Sequence, residues 1–223
     1  MNFKEYPDRD FLILNLVDRL ASELTMGLQH QERVSLAVPG GTTPGPVFDG
    51  LSGVKLDWDR VDVLLTDERW VPEASDRSNT RLLRARLLTG RAAAANLVPL
   101  YAETGTPEGG LDKLTAGIKA VTPLTVVLLG MGADMHTASI FPGADLLEDA
   151  LSPEAPPLLP MRAPGAPEPR MTLTAPVLNG ALSKHLLIFG AEKREALERA
   201  AKLKPHEAPI AAMLSDMDVH WAA

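Results

Sequence analysis

The sequence has no cysteine, few aromatic residues, no excess of basic side chains and no apolar run long enough to cross a membrane. The absence of cysteine excludes disulfides, thiolate nucleophiles and cysteine-liganded zinc, and it agrees with a reducing compartment. Aromatic residues make up 4% of the chain, so aliphatic side chains must supply most of the core. The longest apolar stretches reach only about half of a membrane span.

The net charge restricts the kinds of partner that this protein can bind. The formal net charge is −7, so the chain offers no basic field for a nucleic-acid backbone. An anionic ligand must therefore be held by a local cluster of cations. The first ten residues are charged and lack the apolar segment of a secretory signal. We expect a cytoplasmic protein that binds neither nucleic acid nor membrane, and the sequence carries no signal for its oligomeric state.

Strands and helices alternate along most of the chain, which predicts an α/β protein with an open, mostly parallel Rossmann-like sheet and helices on both faces. The length suits one domain over residues 1–223. Residues 153–169 contain seven prolines and are predicted to form a surface loop of that domain. The predicted strands are 33–38, 61–69, 96–101, 124–130 and 184–190. The predicted helices are 9–26, a helix that begins near Pro44, 76–88, 109–120 and 191–203. Thr43 is expected to cap the helix that begins near Pro44, and Ser78 or Asp76 the helix over 76–88.

Three polar loops follow predicted strands. They are PGGTTP after 33–38, TDER after 61–65 and GMGADMHTAS after 124–129. In open α/β sheets, ligands bind beyond the carboxyl ends of the strands. We therefore expect the three loops to meet at one crevice.

The first of these loops contains Gly40, Gly41, Thr42 and Thr43. Glycines allow a backbone to approach a ligand closely, and free N–H groups at the start of a helix attract an anion. The two threonines add hydroxyl donors. The alternative is a tight turn from strand to helix without a ligand. A Walker A loop is excluded because no lysine follows at the required spacing.

The TDER loop places two carboxylates and an arginine at the end of a strand. We expect Asp67 and Glu68 to form internal ion pairs. Arg69 either joins such a pair or makes a bidentate contact with a phosphate or carboxylate. Further along the chain, Arg170 and Lys193 are either solvated charges or cations that close on the same anion.

The third loop carries His136, and imidazole is suited to general acid–base work at neutral pH. Asp134 lies two residues earlier and either fixes the imidazole tautomer or points away from the ring. No second histidine lies at metal-ligand spacing, so the pattern predicts no metal site. A serine hydrolase is unsupported because the chain has no G-x-S-x-G elbow. The other histidines are scattered along the chain at His30, His185, His206 and His220.

Five motifs in this order resemble the 6-phosphogluconolactonases, a family that hydrolyses a sugar-phosphate lactone in the pentose phosphate pathway. GG or DER alone would be a weak signal, but the five together are specific. The fold of this family is similar to that of the glucosamine-6-phosphate deaminases, which agrees with the α/β prediction. The motifs are AVPGGTTP (37–44), LLTDERWVP (64–72) followed by SN (78–79), LLGMGADMHTASIFPG (128–143), RMTLT (170–174) and IFGAEKREAL (188–197).

The resemblance implies that His136 is a general base that activates water for attack on the lactone carbonyl, without a cofactor or an obligatory metal. It also implies that Arg69, Arg170 and Lys193 hold the phosphate, with the Gly40–Thr43 loop nearby. Backbone N–H groups would stabilise the developing oxyanion. The sequence leaves open whether these groups belong to Gly130–Gly132 or to the Gly40–Thr43 loop.

One position departs from the pattern of the family, which commonly reads G-x-D-G-H-T-A-S. Met135 stands where the second glycine of that pattern would be. Either the loop differs slightly in conformation, or this position needs no positive φ. We expect activity to survive in either case.

Two other functions would share part of this pattern. A glucosamine-6-phosphate deaminase-like isomerase would continue its histidine motif as G-H-x-A-F-N-E-P, whereas this chain reads HTASIFPG and lacks the Asn-Glu pair. A catalytically silent sugar-phosphate-binding module would keep the cations and have no need of His136.

Overall fold

The computed structural model describes residues 1–223 and contains two β-sheets with seven α-helices. Three short 3-10 helices cover Trp58–Arg60, Gly90–Ala94 and Pro209–Met213. The strands are β1 (Asn2–Glu5), β2 (Val34–Val38), β3 (Val61–Leu65), β4 (Asp67–Arg69), β5 (Asn96–Val98), β6 (Val126–Leu129), β7 (Leu158–Met161), β8 (Arg170–Leu173), β9 (Ser183–Phe189) and β10 (Asp218–Ala222). The helices are α1 (Arg9–His30), α2 (Gly45–Ser52), α3 (Asn79–Arg86), α4 (Pro107–Val121), α5 (Leu147–Leu151), α6 (Ala175–Asn179) and α7 (Gly190–Ala200).

The larger sheet has seven strands in the order β1-β10-β9-β6-β2-β3-β5, and all neighbouring pairs are parallel. From β2 the chain runs outward to β3 and β5, then returns and places β6 on the other side of β2. The boundary between β2 and β6 is therefore a topological switch point, where open α/β sheets bind their ligands. The prediction of an open, mostly parallel sheet is confirmed.

The central strands are mostly apolar because both faces of this sheet are covered, with Ser35 and Asp62 as buried polar exceptions. Every residue of β2, β3 and β6 is buried, although successive side chains point to opposite faces. The core is one cluster of 53 buried residues. Phe48, Trp58 and Trp221 are its only aromatic members, as the scarcity of aromatic residues predicts. No helix of the chain combines the length and apolarity needed to span a membrane.

The second sheet is small and antiparallel, with the order β4-β8-β7, and the sequence did not predict it. The prediction of one strand over 61–69 is wrong because the chain changes sheets at Thr66. The N–H of Thr66 donates to the carbonyl of Val38 on β2, and its own carbonyl accepts from Leu173 on β8. One residue thus joins the two sheets.

The prediction that residues 153–169 form a surface loop is also wrong in part, because this segment contains β7. Proline removes a donor from a β-ladder, yet an edge strand tolerates the loss. β7 is an edge strand and contains Pro160. Leu158 and Met161 of the same strand are fully buried, and this burial holds the segment against the protein.

Helix boundaries differ modestly from the predictions. α1 begins after Asp8, whose side chain accepts from the Phe11 N–H at 2.7 Å, and it ends four residues later than expected. Ser78 caps α3 as predicted. The prediction that Thr43 caps α2 is wrong: Pro44 occupies the cap position and makes no side-chain cap bond.

Candidate active site

A cavity of about 260 Å³ lies at the carboxyl ends of β2, β6 and β9, and the three polar loops meet there. Most of the candidate site residues line it, namely Gly40, Gly41, Thr43, Arg69, Gly130, Gly132, His136, Arg170 and Lys193. Thr42 and Asp134 do not line the cavity, although both belong to loops that do. Asp67, which was expected to form an internal ion pair, and Asn79 of the SN motif also line it.

The glycine loop presents unpaired donors. The backbone N–H groups of its four residues, 40–43, donate to no protein acceptor. This is the arrangement expected of an anion-binding loop that precedes a helix. Gly40 has a second role that the sequence did not reveal, because a Cβ atom there would overlap the carboxamide of Asn79. That carboxamide donates to the carbonyl of Asp67 at 3.2 Å and so joins the first loop to the second.

His136 and Asp134 come together. Asp134 Oδ1 lies 2.5 Å from His136 Nδ1 and also accepts the His136 backbone N–H at 3.2 Å. The pKa of Asp134 is lowered because His136 hydrogen-bonds to it, an effect that outweighs the opposing effect of burial. An ionised carboxylate only accepts, so Nδ1 carries a proton, and in the neutral ring the lone pair is on Nε2. Nε2 has no partner in the protein, which leaves it available for a substrate or water.

The loop around this pair is tightly closed. The Gly132 N–H donates to the His136 carbonyl at 2.9 Å, and the Met135 N–H donates to the Gly132 carbonyl at 3.0 Å. A Cβ atom on Gly132 would overlap both the imidazole and the Asp134 carboxylate. Only glycine therefore fits beside the pair.

Met135 adopts a φ of 66°, so the suggestion that this position needs no positive φ is wrong. The left-handed conformation is costly for a side chain other than glycine. The structure holds it in two ways. The Met135 carbonyl accepts from the Ile210 N–H at 3.1 Å, and its half-buried side chain packs against the core.

Two arginines in the cavity carry unsatisfied donors. Arg69 Nε and Arg170 Nε are both buried without a hydrogen-bond partner. Burial lowers the pKa of Arg170, the nearby charge of Arg69 lowers it further, and Asp67 opposes both effects. Both arginines line the cavity, so two cationic side chains with incompletely paired donors lie beside one space, which favours an anion there. Lys193, in the first turn of α7, lines the same space and forms no ion pair.

The acidic residues of the second loop are structural, and the predicted ion pair is present at Asp67 but not at Glu68. Glu68 is fully buried and accepts five hydrogen bonds, mostly from the start of α3. Asp67 Oδ2 accepts from the Ser139 hydroxyl at 2.5 Å and lies 3.7 Å from Arg170 Nη1. Asp67 thereby links the histidine loop to β8, a role that no local sequence signal revealed.

One group of residues could be considered for a metal, and its existence corrects the description of the histidines as scattered. Ligand atoms of His185, Asp218 and His220 lie within 4.8 Å of one another, but none of these residues lines the cavity. Every ring nitrogen of the two histidines already has a hydrogen-bond partner. The ammonium of Lys4 lies 2.6 Å from Asp218 and would repel a cation.

Comparisons with known proteins agree with this geometry. A 6-phosphogluconolactonase from Mesorhizobium japonicum is 42% identical over 227 residues, covering 99% of this chain and 95% of the relative. The crystal structure of a 6-phosphogluconolactonase from Shewanella baltica superposes with a TM-score of 0.96 at 34% identity, covering 100% of this chain and 98% of that one. A monomeric glucosamine-6-phosphate deaminase of the NagB superfamily shares the fold, with a TM-score of 0.81 at 14% identity over 100% of this chain and 97% of that one. The sequence profile of the glucosamine-6-phosphate isomerases/6-phosphogluconolactonase family matches residues 7–221, and the chain belongs to this family.

Proposed function

We propose that this protein is an enzyme that hydrolyses 6-phospho-D-glucono-1,5-lactone to 6-phospho-D-gluconate in the oxidative pentose phosphate pathway. The observation that carries the proposal is an imidazole oriented by Asp134, with an unpartnered Nε2, in a residue that lines the same cavity as the cationic side chains of Arg69 and Arg170. The names of the relatives support the same reaction. The substrate is a charged phosphate ester, and we propose that the protein acts on it in the cytoplasm.

In the proposed mechanism, His136 Nε2 takes a proton from a water molecule as the water oxygen bonds to the lactone carbonyl carbon. Asp134 holds the Nδ1 proton and stabilises the imidazolium that forms. The tetrahedral intermediate then expels the ring oxygen, which takes the proton back from Nε2. The ring C–O bond breaks, and the carboxylic acid that is released ionises in water.

The developing oxyanion needs donors that are already in place. The Gly132 N–H is not one of them, because it donates to the His136 carbonyl. This corrects part of the expectation for Gly130–Gly132. The N–H groups of Gly130 and Met131 donate to no protein acceptor, and neither do those of residues 40–43. We propose the Gly130 and Met131 pair for the oxyanion, because it adjoins the histidine loop, and the Gly40–Thr43 loop for the phosphate.

The phosphate is proposed to lie among Arg69, Arg170 and Lys193. An anchor of this kind grips the ground state and the transition state alike, so its loss raises KM more than it lowers kcat. Single replacements of these three residues by alanine should each raise KM about tenfold or more. Steady-state kinetics test this, and an unchanged KM in all three variants would remove the phosphate assignment.

The first experiment follows proton release from freshly generated 6-phosphogluconolactone, beside an enzyme-free control because the lactone also opens by itself. Wild type should accelerate the reaction, and His136→Ala should approach the background rate. His206→Ala is the matched control, since His206 is exposed and makes no side-chain hydrogen bond. If wild type bound 6-phosphogluconate without accelerating hydrolysis, a silent sugar-phosphate-binding module would replace the enzyme as the proposal.

A further inference from the structure

Phe141 contacts two groups of the candidate site at once. Its ring stacks on the His136 imidazole, with centroids 4.1 Å apart and an interplanar angle of 29°. The guanidinium carbon of Arg170 lies 5.3 Å from the centroid of the same ring. Phe141 does not line the cavity, so it supports these two groups without occupying the space for the substrate.

The ring is not explained by burial in the core. Phe141 is half-buried, and it is absent both from the buried core cluster and from the half-buried apolar residues packed against that cluster. An aromatic side chain normally contributes to stability by filling a core. The ring of Phe141 instead contacts the imidazole of His136 and the guanidinium of Arg170.

We propose that Phe141 is a positioning residue that fixes the His136 ring and the Arg170 guanidinium relative to each other. This inference rests on the proposed function. The Asp134 hydrogen bond holds His136 at Nδ1 but leaves the ring free to rock about that contact. A stacked aromatic face removes this freedom and aims Nε2 at one point.

Arg170 has the same need of support. Its Nε has no partner, and its nearest carboxylate oxygen, on Asp67, is 3.7 Å away, which is longer than a good hydrogen bond. A guanidinium that lies over an aromatic face is stabilised by the ring, and this contact uses none of the N–H donors of the guanidinium. The N–H groups of Arg170 thus stay free for the phosphate while the ring holds the side chain.

One ring therefore sets the separation between the proposed base and the proposed phosphate anchor. The lactone carries its carbonyl and its phosphate at opposite ends of one short sugar. Correct placement of both ends at once is what positions a substrate for attack, and a small misplacement costs rate steeply.

The test compares Phe141→Leu, which removes the ring, with Phe141→Tyr, which keeps it. Phe11→Leu is the matched control, because Phe11 is half exposed on α1. For each variant we would measure kcat and KM for the lactone, the Kd for 6-phosphogluconate by calorimetry, and the thermal unfolding midpoint. Phe141→Leu should lower kcat about tenfold and weaken 6-phosphogluconate binding about threefold. Phe141→Tyr and Phe11→Leu should match wild type in both.

A second comparison separates positioning from a general structural role. Asp134→Asn and Phe141→Leu loosen the same ring, so the double variant should lose less rate than the product of the two single losses. If the kcat loss of the double variant equalled the product of the two single losses, the proposal that Phe141 acts through His136 would be overturned. A folded Phe141→Leu with wild-type kcat and Kd, and only a lower unfolding midpoint, would overturn the whole proposal. If the wild-type protein hydrolysed the lactone no faster than the enzyme-free control, the proposed function would be rejected, and with it the positioning of His136 by Phe141. The Kd for 6-phosphogluconate would then decide whether Phe141 positions Arg170.

Discussion

Single residues in the histidine loop depend on contacts that leave no room for another atom. Gly132 adjoins the imidazole and the Asp134 carboxylate so closely that a Cβ atom would overlap both. Gly132→Ala should therefore displace the Asp134–His136 pair and lower kcat about 100-fold, while KM changes little. Steady-state kinetics on the lactone test this, with Gly105→Ala as control because a Cβ there meets nothing within 4 Å. Wild-type kcat in Gly132→Ala would show that the loop adapts and that its geometry is not limiting.

Met135 offers the complementary test in the same loop, since it holds a left-handed conformation that glycine adopts freely. Met135→Gly relieves backbone strain of about 1 kcal/mol but loses side-chain packing and adds freedom to the unfolded chain. The two effects nearly cancel, so we expect kcat to stay within about threefold of wild type and the free energy of unfolding within about 1 kcal/mol. Kinetics and urea unfolding measure both. An increase in kcat by orders of magnitude would mean that methionine holds His136 in a poor position.

At the scale of elements, the buried carboxylate of Glu68 joins β4 to the start of α3 through hydrogen bonds. Its two oxygens accept from the backbone N–H groups of Arg69, Asn79 and Thr80 and from the hydroxyls of Ser78 and Thr80. In Glu68→Gln one oxygen becomes an amide NH₂ that faces donors in either orientation, leaving buried donors unpaired. The free energy of unfolding should fall by about 2–4 kcal/mol.

Chemical denaturation measures that loss, and Glu73→Gln is its matched control. Glu73 pairs with Arg84 at the surface, where both side chains are about half exposed. Such pairs contribute about 0–1 kcal/mol. Equal, small losses in the two variants would mean that α3 does not depend on the buried carboxylate.

At the scale of the whole molecule, a largely buried hydrogen-bonded network joins the N-terminal segment, β10, β9 and α1. The Tyr6 hydroxyl lies 2.8 Å from His220 Nδ1, His220 Nε2 lies 3.0 Å from His185 Nδ1, and His185 Nε2 lies 2.8 Å from Glu23. Since a carboxylate only accepts, each group can donate to the next from Tyr6 toward Glu23. Burial is the main cause that lowers the pKa of His220 to about 3, with His185 and Lys4 adding to it.

The buried His220 in this hydrogen-bonded network makes the free energy of unfolding depend on pH. A histidine whose pKa is depressed in the folded state contributes fully above its unfolded pKa of 6.5, and the contribution is lost as pH falls toward 3. Between pH 7 and pH 5 the free energy of unfolding should drop by about 2 kcal/mol from His220 alone. The carboxyl groups of Glu23 and Asp218 also have lowered pKa values, but their effect begins at lower pH.

Urea unfolding at pH 7, 6 and 5 measures this slope. His220→Gln removes the titrating ring and should flatten the curve, whatever its stability at pH 7. His206→Ala, at an exposed histidine, should keep the wild-type slope. An equal slope in wild type and His220→Gln would assign the acid sensitivity to other groups.

The sequence by itself determined the features that depend on local pattern. The alternation of strand and helix patterns, with strands predicted where β2, β3 and β6 lie, indicated a mostly parallel sheet with helices on both faces. The loops after these strands were predicted to meet, since the carboxyl ends of parallel strands share one edge of a sheet. His136 and Arg69 were therefore expected at one crevice from chain order, whereas Arg170 and Lys193 were assigned to it only by the resemblance to the family.

Only the tertiary structure decided the features that depend on partners distant in the chain. The strand after Thr66 leaves the main sheet because β8, about a hundred residues later, accepts it. β1 and β10 are short and carry charged residues, and they become strands only because they pair with each other and with β9. His185 and His220 meet for the same reason. The ring of Phe141 faces a base and an arginine that lie in different loops, and no local periodicity encodes such a contact.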